Sequence, residues 1–87
     1  MSKVALVTGA SRGIGRSIAE ALASAGYAVV VNFASRRGEA DATVAAISAQ
    51  GGTAVAAQAD VSDPGAVARM FAAIDERFGR LDALVNN

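Results

Sequence analysis

The sequence is 87 residues long, 53% hydrophobic and 18% charged, and its eight basic and eight acidic residues give a formal net charge of zero. This composition predicts one small folded domain, and the absence of cysteine and histidine excludes disulfides, thiol nucleophiles and zinc sites built on those ligands. A neutral chain with no apolar run near the ~20 residues that span a bilayer also favours a cytoplasmic protein with neither nucleic acid nor membrane as partner.

The first segment is an apolar run at residues 4–7 that leads directly into a turn with three glycines. The run predicts a strand buried on both faces, and a helix is expected to open at about Gly13. Within the turn, Gly9 suits a tight bend, Gly13 the approach of a ligand and Gly15 the close packing of helix on strand. Because the helix points its unpaired N–H groups and positive dipole end at the turn, the segment predicts a pyrophosphate site.

Alternating helix and strand patterns fill the rest of the chain. Apolar residues at three- and four-residue spacing predict helices, and short β-branched or alanine-rich runs predict strands. Asp63 and Pro64 are typical of a helix start, as N-cap and first helical residue, and Gly79 of a helix end. The predicted elements are a helix over 13–26, a strand over 27–33, a helix over 35–50, a strand over 53–59, a helix over 64–78 and a strand over 81–85.

This alternation predicts an α/β fold, a doubly wound parallel sheet of strand order 3-2-1-4, in which residues 1–87 form one dinucleotide-binding unit. The helices after strands one and two would share a face, and the helix after strand three would cover the other. Strand four would be a bare edge. We therefore expect the chain to be a fragment of a longer protein, truncated after its fourth strand.

Three motifs resemble those of one known family. The segment from Thr8 to Gly15 is similar to the Thr-Gly-x-x-x-Gly-x-Gly cofactor motif of the short-chain dehydrogenase/reductase family. Asp60-Val61 resembles the family's acidic motif after the third strand, and Asn86-Asn87 resembles the start of its Asn-Asn-Ala-Gly motif after the fourth. The resemblance implies a Rossmann-type fold and hydride transfer between nicotinamide and a small carbonyl or alcohol substrate. A parent protein of 3-oxoacyl-carrier-protein reductase or glucose dehydrogenase type, often a homo-tetramer, is implied.

The resemblance also implies which residues contact the cofactor. Ser11 and Arg12 lie inside the glycine turn, where they can reach phosphate oxygens. Asp60 is expected to accept a hydrogen bond from the adenine amino group, with the Val61 N–H helping to hold the ring, although Asx residues favour such turns without a ligand too. Asn87 is expected under the cofactor ribose. The candidate cofactor-binding residues are Gly9, Ser11, Arg12, Gly13, Ile14, Gly15, Asn32, Ser35, Arg36, Asp60, Val61 and Asn87.

The choice between the two nicotinamide cofactors depends on the end of the second strand. An Asp or Glu there accepts hydrogen bonds from the adenosine ribose of NAD and repels a 2′-phosphate. This chain has neutral Asn32 instead, followed by Ser35 and Arg36, with Arg12 approaching from the glycine turn. We therefore expect NADP(H) to be favoured over NAD(H). The alternative for Arg36 and Arg37 is a solvated helix start.

The chain lacks the residues that the resemblance assigns to proton transfer. In the family, a Tyr-x-x-x-Lys pair and an upstream Ser assist the hydride step, whereas the one tyrosine and one lysine here are Tyr27 and Lys3. We therefore expect no catalytic residue and no metal in this chain, which would supply the cofactor-binding half of an enzyme. Two alternatives stay open. One is a non-catalytic nucleotide-binding fragment or half-fold module; the other is a nucleotide-sugar epimerase, whose relatives favour Gly-x-x-Gly-x-x-Gly.

Overall fold

Four strands and three helices alternate along the part of the chain that the computed structural model describes, residues 2–10 and 13–87. They are β1 (Val4–Val7), α1 (Gly13–Ser24), β2 (Ala28–Phe33), α2 (Arg37–Ala49), β3 (Thr53–Gln58), α3 (Pro64–Phe78) and β4 (Ala83–Val85). The strands pair in parallel, in the order β3-β2-β1-β4. The predicted α/β fold, a Rossmann-type parallel sheet of order 3-2-1-4, is confirmed.

Every residue of the two central strands, β1 and β2, is buried, because helices cover both faces of the sheet. Val29 and Val31 belong to the core on the face of α1 and α2. Val30, between them, packs with Met70 and Ile74 of α3 on the opposite face. Each such buried aliphatic side chain contributes about 1.5–3 kcal/mol to folding. The continuous apolar runs thus become interior strands, whose carboxyl ends all meet at one edge of the sheet.

The strands β3 and β4 are the two edge strands of this sheet, and both are less buried than the central pair. Leu84 of β4 is 54% exposed although its register partner Leu6 is fully buried, since no further strand pairs beyond β4 among the described residues. The fourth strand is therefore an open edge here, as the sequence predicts. Each of β2, β3 and β4 is shorter at one end than predicted, because the parallel pairing starts or stops inside the predicted runs.

Helix α3 follows its sequence signals at both ends. The Asp63 carboxylate oxygen Oδ1 accepts hydrogen bonds from the N–H groups of Gly65 at 3.0 Å and Ala66 at 3.3 Å. At the other end, Gly79 adopts a left-handed conformation with φ 71°, and its N–H donates to the Asp75 carbonyl at 2.8 Å. The predicted N-cap and glycine stop are both confirmed. Within the described ranges, no helix has the length and apolar character that crossing a membrane requires.

Helix α2 begins later than predicted, at Arg37 and not at Ser35. Arg36 occupies the N-cap position and makes no side-chain cap hydrogen bond, so Ser35 and Arg36 belong to the loop that follows β2. A charged guanidinium cannot accept hydrogen bonds from the first N–H groups of a helix, unlike Asp or Ser. Ser35 and Arg36 therefore lie outside the helix, at the carboxyl-terminal edge of the sheet.

Asp82 joins β4 to β1 at the amino-terminal edge of the sheet. Its carboxylate accepts two hydrogen bonds from the Arg80 guanidinium, at 2.7 and 2.8 Å, and one from the Val4 N–H at 2.8 Å. The Asp82 N–H in turn donates to the Val4 carbonyl at 2.8 Å. The hydrogen bonds from Arg80 and then from Val4 lower the pKa of Asp82. This contact sets the start of the short β4 strand against β1.

Gly15 lets α1 approach the end of β1 closely. A Cβ atom at this position would collide with the Gly9 carbonyl oxygen and would lie 2.8 Å from the Asn87 amide nitrogen. Gly15 is itself buried in the first turn of α1. The predicted role of Gly15 in close packing of helix and strand is therefore confirmed. As a result, the amino terminus of α1 stands directly over the glycine turn.

We expect the hydrogen bonds of the Asp82 carboxylate to make the free energy of unfolding decrease at acid pH. Because the pKa of Asp82 in the folded chain lies below the ordinary value of 3.8, its contribution is full above that value and is lost as pH falls through the folded pKa. Asp82→Asn should lower the free energy of unfolding at neutral pH. The difference in this free energy between the variant and the wild type should decrease on acidification. Urea unfolding from pH 7 to pH ~2 measures both. Asp41→Asn, at an exposed position of α2, is the control; a gap for Asp82→Asn that is constant with pH would contradict the assignment.

We expect Gly15→Ala to destabilise the fold by roughly 1–3 kcal/mol or more, because the added methyl group meets backbone atoms that cannot move aside cheaply. Gly38→Ala is the matched control, since a Cβ there meets nothing within 4 Å. That substitution should stabilise by roughly 0.4–1 kcal/mol through the unfolded state. Denaturant unfolding of both variants gives the comparison. Equal changes in the free energy of unfolding for the two variants would show that the close approach at Gly15 does not affect stability.

Candidate functional site

A cavity of about 450 Å³ opens at the carboxyl-terminal edge of the sheet. It is lined by Gly9, Gly13, Phe33, Ala34, Ser35, Arg36 and Asn87. These residues follow β1, β2 and β4, which the topology brings side by side. Parallel sheets of this kind commonly bind ligands at this edge, where the strand order reverses. Five of the residues were candidates from the sequence: Gly9, Gly13, Ser35, Arg36 and Asn87.

The glycine turn is held from the side of β4. The Thr8 N–H donates to the Val85 carbonyl at 3.0 Å, and the Thr8 hydroxyl accepts from the Asn87 N–H at 2.9 Å. That hydroxyl also lies 3.1 Å from Asn86 Oδ1. The Asn87 side chain donates to the Gly9 carbonyl at 3.3 Å. The predicted cofactor residue Asn87 thus lies against the turn and lines the cavity.

The same turn is held from the side of β2 and α2. The Ala10 N–H donates to the Asn32 carbonyl at 3.2 Å. The Thr43 hydroxyl, which has one proton to donate, lies 3.1 Å from the Glu39 carbonyl of its own helix and 3.4 Å from the Ala10 carbonyl. Thr43 is fully buried within the apolar stripe of α2. Sequence reasoning missed Thr43, although a hydroxyl among apolar residues at helical spacing is a signal that a buried partner exists. The turn is therefore fixed on both sides before any ligand arrives.

The turn presents backbone groups to the cavity. Gly9 and Gly13 both adopt left-handed conformations, with φ 61° and 64°. A Cβ on Gly13 would meet nothing within 4 Å, so the surface of the first turn of α1 is open. Ile14, another predicted site residue, is 73% exposed beside it. Unpaired N–H groups at this helix start can donate to an anion. The predicted contacts of Ser11 and Arg12 lie outside the described residues.

The loop after β2 carries the cationic groups of the site. Arg36 lines the cavity, and its guanidinium lies 3.9 Å from the Glu39 carboxylate, with both side chains well exposed. Such a solvated pair contributes little, so Arg36 can turn towards an anion at low cost. Arg37 instead stacks over the Phe33 ring, with 4.9 Å between the guanidinium carbon and the ring centroid. The two adjacent arginines therefore differ in their surroundings, and Arg36 is the one at the cavity.

The expectation that the Asn32 side chain faces the cofactor is wrong. Asn32 is 2% exposed, and its amide nitrogen donates to the carbonyls of Ala57 and Ala59, at 3.2 Å each. Side chains alternate along a strand, and Asn32 shares its face with Val30, towards α3. The strand continues through Phe33, and residues 33–36 reach the cavity in its place. A carboxylate at position 32 would face two carbonyl oxygens and not a ribose.

Asp60 and Val61 follow β3 at the same edge of the sheet but do not line the cavity. The Asp60 oxygen Oδ1 accepts hydrogen bonds from the Ser62 hydroxyl at 2.6 Å and the Ser62 N–H at 2.9 Å. These bonds, the hydroxyl first, lower the pKa of Asp60, so it is an ionised acceptor near neutral pH. The turn chemistry that the sequence left as an alternative is therefore present at Oδ1, and the expected contact of Asp60 with the adenine amino group stays a prediction. Val61 is 55% exposed beside it.

The one tyrosine and the one lysine of the chain lie far from this edge along their strands. Lys3 directly precedes β1, where its carbonyl accepts from the Ala28 N–H at 2.8 Å. Tyr27 directly precedes β2 and packs against the core on the face of α1 and α2. Both stand at the amino-terminal ends of their strands, opposite the cavity. Neither is placed to act on a molecule bound at the glycine turn.

The residues present fit the diphosphate of a dinucleotide. The cavity volume falls within the range of roughly 300–1,000 Å³ that is common for small-molecule sites. Its donors are backbone N–H groups at a helix start and one guanidinium, which suit an anion. Among the described residues, no atom outside the immediate chain neighbours lies within 4 Å of where a Cβ on Gly13 would stand. The arrangement can hold phosphate groups at the helix start and beside Arg36.

Comparison with known proteins shows the family of this chain. The family described as short chain dehydrogenase matches residues 3–87. An uncharacterized oxidoreductase of Methylorubrum extorquens is 59% identical over 85 residues, covering 98% of this chain and 34% of that protein. The 3-oxoacyl-[acyl-carrier-protein] reductase FabG of Staphylococcus aureus is 53% identical over 87 residues, covering all of this chain and 35% of the reductase.

A solved structure is also similar. A metagenomic short-chain oxidoreductase in complex with NADP superimposes with a TM-score of 0.93 at 41% identity, covering 98% of this chain and 38% of that one. The chain thus spans about a third of the length of the relatives that it matches. The range that matches the family includes the glycine turn, the Asp60-Val61 pair and Asn87. On sequence and on fold, the chain belongs to the short-chain dehydrogenase family.

Proposed function

We propose that the protein carrying this chain is an NADP(H)-dependent oxidoreductase. It transfers a hydride between nicotinamide and a carbonyl or alcohol carbon, and this chain supplies the cofactor-binding half. One observation carries the proposal: the cavity joins the open first turn of α1 to Arg36, without an acidic side chain among its lining residues. Family membership supports the oxidoreductase class. The NADP in a solved relative and the reductase names of curated ones support the finer choice.

In this proposal the chain's own groups hold and orient the cofactor. The N–H groups at the start of α1 donate to the diphosphate, and Gly13 gives it room. Ser35 and Arg36 would bind the 2′-phosphate, and the predicted contribution of Arg12 lies outside the described residues. Each charge-assisted hydrogen bond there is worth roughly 1.5–3 kcal/mol, so one or two contacts set the preference for NADP(H). Asn87, beside Gly9, orients the ribose nearer the nicotinamide.

The bound cofactor supplies the hydride donor or acceptor. This chain fixes where that group lies, and the sheet edge excludes water from one side of it. Proton transfer to the substrate oxygen needs an acid or base that this chain does not place at the cavity, since Tyr27 and Lys3 stand at the opposite ends of their strands. We assign no catalytic residue to these 87 residues. By the names of its relatives, a 3-oxoacyl thioester is the first substrate class to test.

The second candidate function is a nucleotide-binding module without catalysis. The positions of Tyr27 and Lys3 favour it, because neither of these two residues lines the cavity. Both candidates require the same cofactor site. They differ in whether a substrate is reduced at that site.

Turnover separates the two candidates. The protein that carries this chain, and not the 87-residue segment alone, is purified and mixed with NADPH, and the absorbance of reduced nicotinamide is followed after a 3-oxoacyl thioester is added. Consumption of NADPH that depends on the thioester is the expected result. Binding of NADPH without consumption of any carbonyl substrate would support the module. Absence of NADPH binding would overturn both.

The preference for NADP(H) is tested by Arg36→Gln, with Arg37→Gln as the matched control. We expect Arg36→Gln to weaken NADPH binding roughly 10- to 100-fold, the equivalent of one charge-assisted bond, and to leave NADH binding almost unchanged. Arg37→Gln should affect neither, because that side chain stacks on Phe33. Fluorescence titration at fixed ionic strength gives the dissociation constants. Equal losses for NADPH and NADH would remove Arg36 from the phosphate site.

A further inference from the structure

The buried amide of Asn32 links three segments of the chain. Its Nδ2 lies 3.2 Å from the carbonyl oxygens of both Ala57 and Ala59, and 3.4 Å from the sulfur of Met70 on α3. The side chain is almost fully buried, with 2% of the residue exposed. A buried amide donor needs such acceptors, because leaving it unpaired costs about 1–3 kcal/mol. Asn32 therefore has a defined orientation, away from the cavity.

The acceptors of this amide lie where β3 leaves the sheet. β3 ends at Gln58, and the Ala59 N–H still donates to the Phe33 carbonyl at 3.0 Å. The Ala59 carbonyl is then bonded by the Asn32 side chain, and the next residue is Asp60. Since β3 is an edge strand, it has no neighbour on its other side among the described residues. The Asn32 amide thus fixes the direction in which the chain departs towards Asp60.

The main chain of the same residue holds the glycine turn. The Asn32 carbonyl accepts from the Ala10 N–H at 3.2 Å, directly after Gly9. One residue is therefore bonded through its backbone to the turn that faces the diphosphate, and through its side chain to the carbonyl that precedes Asp60. No other residue type of this size offers an amide donor there. Asp would present acceptors to two carbonyls, and Leu would leave both carbonyls without that donor.

We propose that Asn32 is a positioning residue for the adenine end of the cofactor. By holding Ala59, it places the Asp60 carboxylate at a fixed distance from the glycine turn, so that the adenine amino group meets an acceptor while the diphosphate lies at α1. Asp60 Oδ1 is engaged by Ser62, which orients the carboxylate further. This inference rests on the proposed function, since it assumes that a dinucleotide binds at this edge. Asn32 itself does not touch the ligand.

If Asn32 matters only for stability, its substitution weakens the binding of all ligands by the same factor. The test is therefore a ratio of two affinities. The probes are NADPH and its hypoxanthine counterpart, in which an oxo group replaces the adenine amino group. We expect the wild type to prefer NADPH by about tenfold or more, as for one hydrogen bond to a charged acceptor. Asn32→Leu should bring this ratio close to one. An unchanged ratio in Asn32→Leu, or no preference in the wild type, would overturn the proposal.

Val30→Ala is the matched control. Val30 lies two residues earlier on the same face of β2, and its truncation removes buried packing without touching the amide. It should lower stability and keep the ratio of the two affinities. Failure of the proposed function is distinguishable: a wild type that binds neither probe overturns that function, whereas binding of both with a ratio insensitive to Asn32→Leu overturns only the role of Asn32.

The unmodified protein provides a second measurement if Asn32→Leu does not fold. The two side-chain amide protons of Asn32 are followed by NMR hydrogen exchange, alone and with each probe. We expect slowed exchange in the free protein and stronger protection with NADPH than with the hypoxanthine counterpart. Exchange at the rate of a free amide, or equal protection by the two probes, would overturn the proposal.

Discussion

The close contact between the first turn of α1 and the Gly9 carbonyl is the constraint on which the rest of the site depends. It exists because Gly15 has no side chain, and any Cβ there would strike the Gly9 oxygen. The contact places the open N–H groups of the helix above the end of β1. Asn87, at the end of β4, closes the arrangement by donating to the same Gly9 carbonyl. An anion site thus follows from how tightly two backbones approach, with side chains adding selectivity.

Selectivity comes from loops that the sheet brings to the same edge. The loop after β2 presents Arg36, and the loop after β3 presents an ionised Asp60 further along. Opposite charges at separate places on one edge suit a ligand with phosphates at one position and a hydrogen-bond donor at another. The Asn32 side chain bonds the Ala59 carbonyl before Asp60, and its own carbonyl accepts from the Ala10 N–H in the glycine turn.

Much of the fold is predictable from the sequence because its signals are local. The glycine turn, the Asp63 cap and the apolar central strands each depend on neighbouring residues, and the strand order follows from their alternation. The direction of Asn32 is not predictable in this way, because it depends on where β2 ends and on carbonyls of β3 more than 20 residues later. Asp82 has a distant partner too, the Val4 N–H, which the sequence pattern does not indicate. The start of α2 at Arg37 is not predictable either, because Arg36 stands at the N-cap position although its side chain makes no cap hydrogen bond.

The central claim is that the edge formed by the glycine turn and the loop after β2 holds a dinucleotide. Backbone amide shifts in an isotope-labelled sample, recorded while NADPH is added, test it most directly. The account predicts that the largest changes fall on Gly9, Gly13, Ile14 and residues 34–36, with smaller ones at Asp60 and Val61. Lys3, Tyr27 and the outer surface of α3 should stay unchanged. Changes centred on α3 and β3, or spread evenly over the chain, would contradict the account.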